Sequence, residues 1–235
     1  MKRALLAAAG GIVLALACAG GAARANDPQL RVLFIGNSLT AVNDLPHVVS
    51  TLSGGRIAYK TVAPGGVSLE DHWTLTGARD ALEEGPWDFV VLQQGPSSLA
   101  DSAANLREWT VRWADAIRTH HATPAVYEVW PDSAFGVRAS FPAIVHSYRR
   151  AAAAAHATFL PAGEAWQAAW RRDPRLALYG PDGFHPSPLG TYLAAVVVYG
   201  GLTGRVPAAL PPLVRATPQR LRLLRAAAIA ALRTR

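Results

Sequence analysis

Three side chains in this sequence have the types and settings that acyl transfer requires: Ser38, Asp182 and His185. A serine hydroxyl becomes a nucleophile when a base takes its proton, an acid orients that base, and N–H donors receive the negative oxygen. Ser38 lies in Gly36-Asn37-Ser38-Leu39-Thr40, directly after the apolar run Val32-Leu33-Phe34-Ile35. Such a run reads as a buried parallel strand, and Gly36 permits the sharp bend that would expose a hydroxyl at the strand's carboxyl end. Asp182 and His185 stand three residues apart in Tyr179-Gly180-Pro181-Asp182-Gly183-Phe184-His185-Pro186-Ser187. That spacing lets the carboxylate reach Nδ1 of the imidazole and leaves Nε2 for the serine. Each feature alone has a structural account, since Ser38 could cap a helix and Asp182-Gly183 could form a plain turn before a surface histidine. Taken together they supply a nucleophile, a base and an acid.

The elements that would hold these groups alternate along the chain. After the first strand, 45–52 reads as a short helix closed by Gly54-Gly55, and 56–62 as a second strand. Residues 69–84 read as one helix stopped by Gly85-Pro86, and 87–92 as a third strand. In 102–120, Leu106, Trp109, Trp113 and Ile117 recur at spacings of three and four, so the tryptophans form the inner face of a helix. Residues 125–130 read as a fourth strand, 142–156 as a helix, 158–161 as a fifth strand and 163–171 as another helix. Ser187-Pro188 supplies an N-cap and first-turn proline for a last core helix ending near Leu202. Five β-runs separated by helices argue for a parallel sheet covered on both faces. There is no internal repeat and no long linker.

The two motifs, Gly36-Asn37-Ser38-Leu39-Thr40 and Asp182-Gly183-Phe184-His185-Pro186, resemble blocks I and V of the SGNH/GDSL hydrolases, and the resemblance spans about 30–202. It implies a flavodoxin-like three-layer α/β/α sandwich with a five-stranded parallel sheet, and ester hydrolysis without metal or cofactor. It also implies Ser38 as nucleophile, His185 as general base and Asp182 as its orienter. The family's oxyanion hole uses the serine N–H, a glycine N–H after the second strand and an asparagine amide after the third. For the glycine, the family pattern selects Gly66 in Ala63-Pro64-Gly65-Gly66-Val67-Ser68, a segment that also suits a tight turn. The third block departs from the pattern, because Gln93-Gln94-Gly95-Pro96 contains no asparagine. A glutamine amide is the same donor on a longer stem, and Gln94 is chosen over Gln93 because it is nearer the loop and alternation sends the two to opposite sides. Asn37, His72 and Trp130 are further candidates for lining the cleft, each with a packing or capping alternative.

Composition bounds the rest. Residues 1–25 carry Lys2 and Arg3, an Ala/Leu/Gly-rich stretch and Ala23-Arg24-Ala25, which reads as a secretory signal peptide cut after Ala25. An uncleaved anchor, or a lipid attached at Cys18, are the other readings of this segment. Removal would leave 26–235 as one domain, exported to the periplasm or outside the cell, with no integral membrane span. Cys18 is the only cysteine, so that mature chain would have no disulfide, thiolate or cysteine-ligated zinc. The first 25 residues hold three of the 23 basic residues and none of the 16 acidic ones, which leaves a mild +4. Much of that charge lies in Arg215, Arg220, Arg222, Arg225, Arg233 and Arg235. The tail reads as an amphipathic helix over about 217–233, with Leu221, Leu224, Ile229 and Leu232 packed inward. No basic patch interleaved with aromatics points to nucleic acid. His120, His121, His146 and His156 lack metal-ligand spacing. The expected partner is therefore a small-molecule or glycan ester, with acetyl or short acyl groups the favoured class. Lipid-ester hydrolysis and a catalytically weak module binding cell-envelope carbohydrate are the rivals. A flavodoxin-like phosphate binder would lack a Gly-rich fingerprint and leave Asp182 and His185 unexplained.

Overall fold

The computed structural model describes residues 30–135 and 137–234, and the leader read from the sequence lies outside them. Strands β1 (Leu30–Ile35), β2 (Ile57–Val62), β3 (Phe89–Leu92), β4 (Thr123–Tyr127) and β5 (Thr158–Leu160) form one sheet in the order β2-β1-β3-β4-β5. Every neighbouring pair is parallel. Val32, Leu33, Phe34 and Ile35 are all fully buried, which explains why β1 is apolar at every position rather than at alternate ones. The chain leaves β1 toward β2 on one side and later returns to β3 on the other. The loops after β1 and β3 therefore diverge at the carboxyl edge and open a crevice between them.

Nine helices follow among the described residues: α1 (Ser38–Ala41), α2 (Leu45–Leu52), α3 (Leu69–Thr74), α4 (Ala78–Glu83), α5 (Ala100–Thr119), α6 (Val137–Ala154), α7 (Ala162–Arg172), α8 (Pro188–Thr203) and α9 (Pro218–Leu232). Helices α2, α7, α8 and α9 pack together as one layer, while α3, α5 and α6 join on the opposite face. Helix α8 is buried on nearly all sides, in keeping with its almost continuous apolar sequence. Trp109 and Trp113 face the core, and the Trp113 indole N–H donates to Leu69 O.

Several boundaries differ from the sequence reading for local reasons. The single helix expected over 69–84 is two. The Thr76 hydroxyl bonds His72 and accepts the Ala78 N–H, and these side-chain contacts replace helical continuation between α3 and α4. Strand β4 stops at Tyr127 because Glu128 turns to the start of α7, accepting the Gly163 and Glu164 N–H groups. Helix α6 starts earlier than expected, so that Pro142 falls inside it. In α9 the buried stripe is Leu224, Ala227, Ala228 and Ala231, at helical spacings of three and four. Ile229 falls off that stripe and is only half-buried. Among the described residues, no helix is long and apolar enough to cross a membrane.

Candidate active site

Gly36 follows β1 directly, and a Cβ there would lie 2.5 Å from Thr40 Oγ1 and 2.6 Å from Gln93 Oε1. Only glycine lets the turn fit beneath these two groups. Asn37 caps α1 by accepting the Leu39 N–H, which sets Ser38 as the first helical residue with its own N–H left over. The Asn37 amide also donates to Val67 O, tying this turn to the loop after β2. Gln93 organises the turn from the neighbouring strand. Its Oε1 accepts from the Asn37 N–H at 2.9 Å and the Thr40 hydroxyl at 2.7 Å, while its Nε2 donates to Asn37 Oδ1 and Gln94 O.

His72 lies below the turn. It is fully buried, and Nε2 is 2.7 Å from Gly36 O. A carbonyl can only accept, so Nε2 carries the proton and Nδ1 accepts from the Thr76 hydroxyl at 2.9 Å. Burial lowers the His72 pKa and keeps the ring neutral. His72 thus props the turn that carries Ser38 from inside and does not line the cleft. Asn37, also expected at the cleft, is buried with its amide engaged in the turn.

Ser38 Oγ is 2.9 Å from His185 Nε2, and His185 Nδ1 is 2.5 Å from Asp182 Oδ2. The other Asp182 oxygen accepts the N–H groups of Phe184 and His185 at 3.1 and 2.9 Å. These bonds, led by the one to His185, lower the Asp182 pKa to about 2, although half of the side chain is exposed. Hydrogen bonding to the charged form outweighs the small desolvation of so open a group.

The loop that carries both residues is fixed at several points. Tyr179 bridges Pro186, the Gly180 N–H donates to His185 O at 2.7 Å, and the Ser133 N–H donates to Gly183 O. Trp130 is fully buried and donates from Nε1 to Phe184 O, stacking on Trp166 at 3.7 Å between ring centroids. It supports the loop from below, a correction to the expectation that it lines the cleft. Asn43 donates from its amide to Pro186 O and Thr191 Oγ1, both at 2.9 Å. It links the Ser38 segment to the loop that carries His185. Asn43 and Asp44 both have left-handed backbones, at φ 56 and 48, a strain held in place by these bonds and by the Asp44 cap on α2.

The three groups expected to face an oxyanion sit in three loops at the same sheet edge. Gly66 has φ +78 in the exposed turn after β2, and neither its N–H nor that of Ser38 bonds another described residue. The Gln94 amide is buried. Its Oε1 accepts the Leu69 N–H at 2.9 Å, and Nε2 has only a long 3.4 Å contact with Ser97 Oγ. Both N–H bonds of the Gln93 amide are already used in the turn, so between the two glutamines Gln94 alone has donor capacity to spare. Next to Phe184, the neighbour of His185, is a cavity of about 500 Å³ lined by Pro96, Leu99, Pro131, Ile144 and Phe184 together with Asp132 and three serines. Among the described residues no cluster of His, Cys, Asp and Glu is arranged to hold a metal ion.

No family model matches the sequence, and no curated protein is detectably similar to it. Solved structures do match. A proposed SGNH hydrolase from Slackia heliotrinireducens is 28% identical, with a TM-score of 0.65 over 74% of this chain and 98% of that one. A DUF4886 family protein from Bacteroides uniformis superposes with a TM-score of 0.67 at 21% identity, covering 86% of this chain and 94% of the other. An acetylxylan esterase from Geobacillus stearothermophilus gives 0.56 at 14% identity, over 75% and 95% of the two chains. The last two likenesses speak to the fold.

Proposed function

We propose that the chain is a serine esterase of the SGNH/GDSL hydrolases, acting through Ser38, His185 and Asp182. The observation that carries this reading is the unbroken hydrogen-bond chain from Ser38 Oγ through the imidazole to Asp182 Oδ2. Ser38 attacks the ester carbonyl carbon while His185 Nε2 takes the hydroxyl proton. Asp182 remains ionised, holds Nδ1–H toward itself and stabilises the imidazolium. The Ser38 N–H, the Gly66 N–H and the Gln94 amide receive the oxyanion. His185 returns the proton to the leaving alcohol, and a water activated by the same nitrogen then releases the acid from Ser38.

The apolar cavity beside Phe184 supports binding of a carboxylic acyl group, with short acyl chains the simplest fit. A carbohydrate alcohol on the other side of the ester suits a site that opens to solvent at Asp182. Action outside the cytoplasm rests on the leader-like residues 1–25.

The test is hydrolysis of p-nitrophenyl acetate by the mature protein beside Ser38→Ala and His185→Ala. Each substitution is expected to lower kcat by about 10³-fold or more. Equal rates in all three proteins would reject the esterase reading.

A further inference from the structure

A second depression lies outside the Ser38 site, against the loop that carries His185. It is an open depression of about 760 Å³ lined by buried Phe141 and Leu176 and by half-buried Trp170 and Tyr179, whose rings pack on each other at 5.6 Å between centroids. The polar ends of both wall aromatics are already engaged. The Trp170 indole N–H donates to Leu176 O at 2.9 Å, and the Tyr179 hydroxyl donates to Pro131 O at 2.6 Å. What they offer a ligand is ring surface.

Helix α7 adds donors on one face. Gln167 and Arg171 are one turn apart and flank Trp170, while Ala165, Trp166, Ala168 and Ala169 face the core. Neither Gln167 nor Arg171 bonds or pairs with another described residue, and no carboxylate lines the cavity. An aromatic surface formed by Trp170 and Tyr179 with the unengaged donors of Gln167 and Arg171 beside it suits a ring that has apolar C–H faces and oxygens around its edge. A pyranose has this pattern, and the cationic rim favours one bearing a carboxylate.

The cavity shares a wall with the catalytic loop. Ser133 lines it, donates its N–H to Gly183 O at 3.0 Å, and leaves no room for a Cβ on Gly183. Tyr179 lines it and bridges Pro186. Gly183 and Pro186 lie on either side of the segment that presents His185.

We propose that this cavity is a glycosyl-binding subsite that holds a sugar unit of the polysaccharide bearing the scissile ester. The proposal rests on the esterase reading for its substrate, while the binding itself does not require catalysis. The test therefore uses the Ser38→Ala protein, titrated by tryptophan fluorescence and calorimetry with neutral β-1,4-linked oligosaccharides and with oligogalacturonides. At least one series is expected to bind, and adding Arg171→Ala or Gln167→Ala should weaken that binding about tenfold or more. Circular dichroism checks that the variants remain folded. Failure of both series to bind, or binding unchanged by both substitutions, overturns the subsite. A wild-type protein that does not hydrolyse p-nitrophenyl acetate, alongside binding that depends on Arg171 and Gln167, would reject the esterase reading and leave the subsite standing.

Discussion

Gln93 and Gln94 are chemically identical neighbours that the fold uses for different ends. Gln93 spends both amide protons and its oxygen on the turn that presents Ser38, whereas Gln94 anchors Leu69 through its oxygen and keeps its nitrogen largely free. Gln94→Ala should therefore lower kcat by about 10²- to 10³-fold, as expected for one oxyanion donor, with a smaller fall in Tm than Gln93→Ala because the buried Leu69 N–H alone loses its partner. Gln93→Ala should lower Tm as well, because it leaves the buried Asn37 and Thr40 groups unpaired. Steady-state kinetics and thermal melts separate the two, and an unchanged kcat in Gln94→Ala would remove it from the oxyanion hole. Glu128 is a second residue with a legible consequence. It is fully buried, Oε1 has no partner among the described residues, and burial, reinforced by Glu164, raises its pKa well above the carboxylate range. The native state keeps this proton where the unfolded chain has released it. Its contribution is present below the unfolded carboxylate range and is lost as pH rises toward the folded value, at up to about 1.4 kcal/mol per pH unit. Urea unfolding between about pH 5 and pH 8 should show wild type losing stability relative to Glu128→Gln, and parallel profiles would refute the assignment.

At the scale of elements, the site depends on ties between loops more than on any single helix. The α1 turn and the loop before α8 meet through Ser38 with His185, and through Asn43 with Pro186 and Thr191. Asn43→Ala removes the second tie while leaving every catalytic group in place. It should lower kcat by about tenfold and cost about 1–2 kcal/mol, read from p-nitrophenyl acetate kinetics and urea melts. Unaltered kinetics would assign Asn43 to stability alone. The sequence displayed what short-range chemistry dictates: the apolar run of β1, the tryptophan face of α5, and the Ser187-Pro188 cap of α8. It displayed Ser38, Asp182 and His185 as a set because Asp182 and His185 are local to one loop. It did not display the roles of His72, Trp130, Asn43 or Gln93. Each of these acts through a contact with residues distant in sequence, and nothing in its neighbours' identities marks that contact. The break between α3 and α4 was hidden for a related reason, since apolar spacing continues across Thr76 while the hydroxyl bonds that interrupt it leave no periodic trace.

For the whole molecule, the strand order places the divergence of loops between β1 and β3, and the groups proposed for catalysis gather at that carboxyl edge. The two helical layers act as the frame, with α8 buried between the sheet and α9. The chain of hydrogen bonds proposed for catalysis is itself unequal in reach. Asp182 and His185 are three residues apart, whereas Ser38 and His185 are separated by 147. The acid and base can adopt their mutual geometry as soon as their own loop closes, but the serine meets them only when nearly the entire chain has been threaded into the sheet. Contacts of such long separation form only after a large loop-closure cost has been met. Enzyme activity should accordingly be among the last properties regained after dilution from urea, trailing or matching the return of tryptophan fluorescence and never preceding it. Stopped-flow refolding monitored by both signals would show this, and would make turnover a clock for the final assembly step.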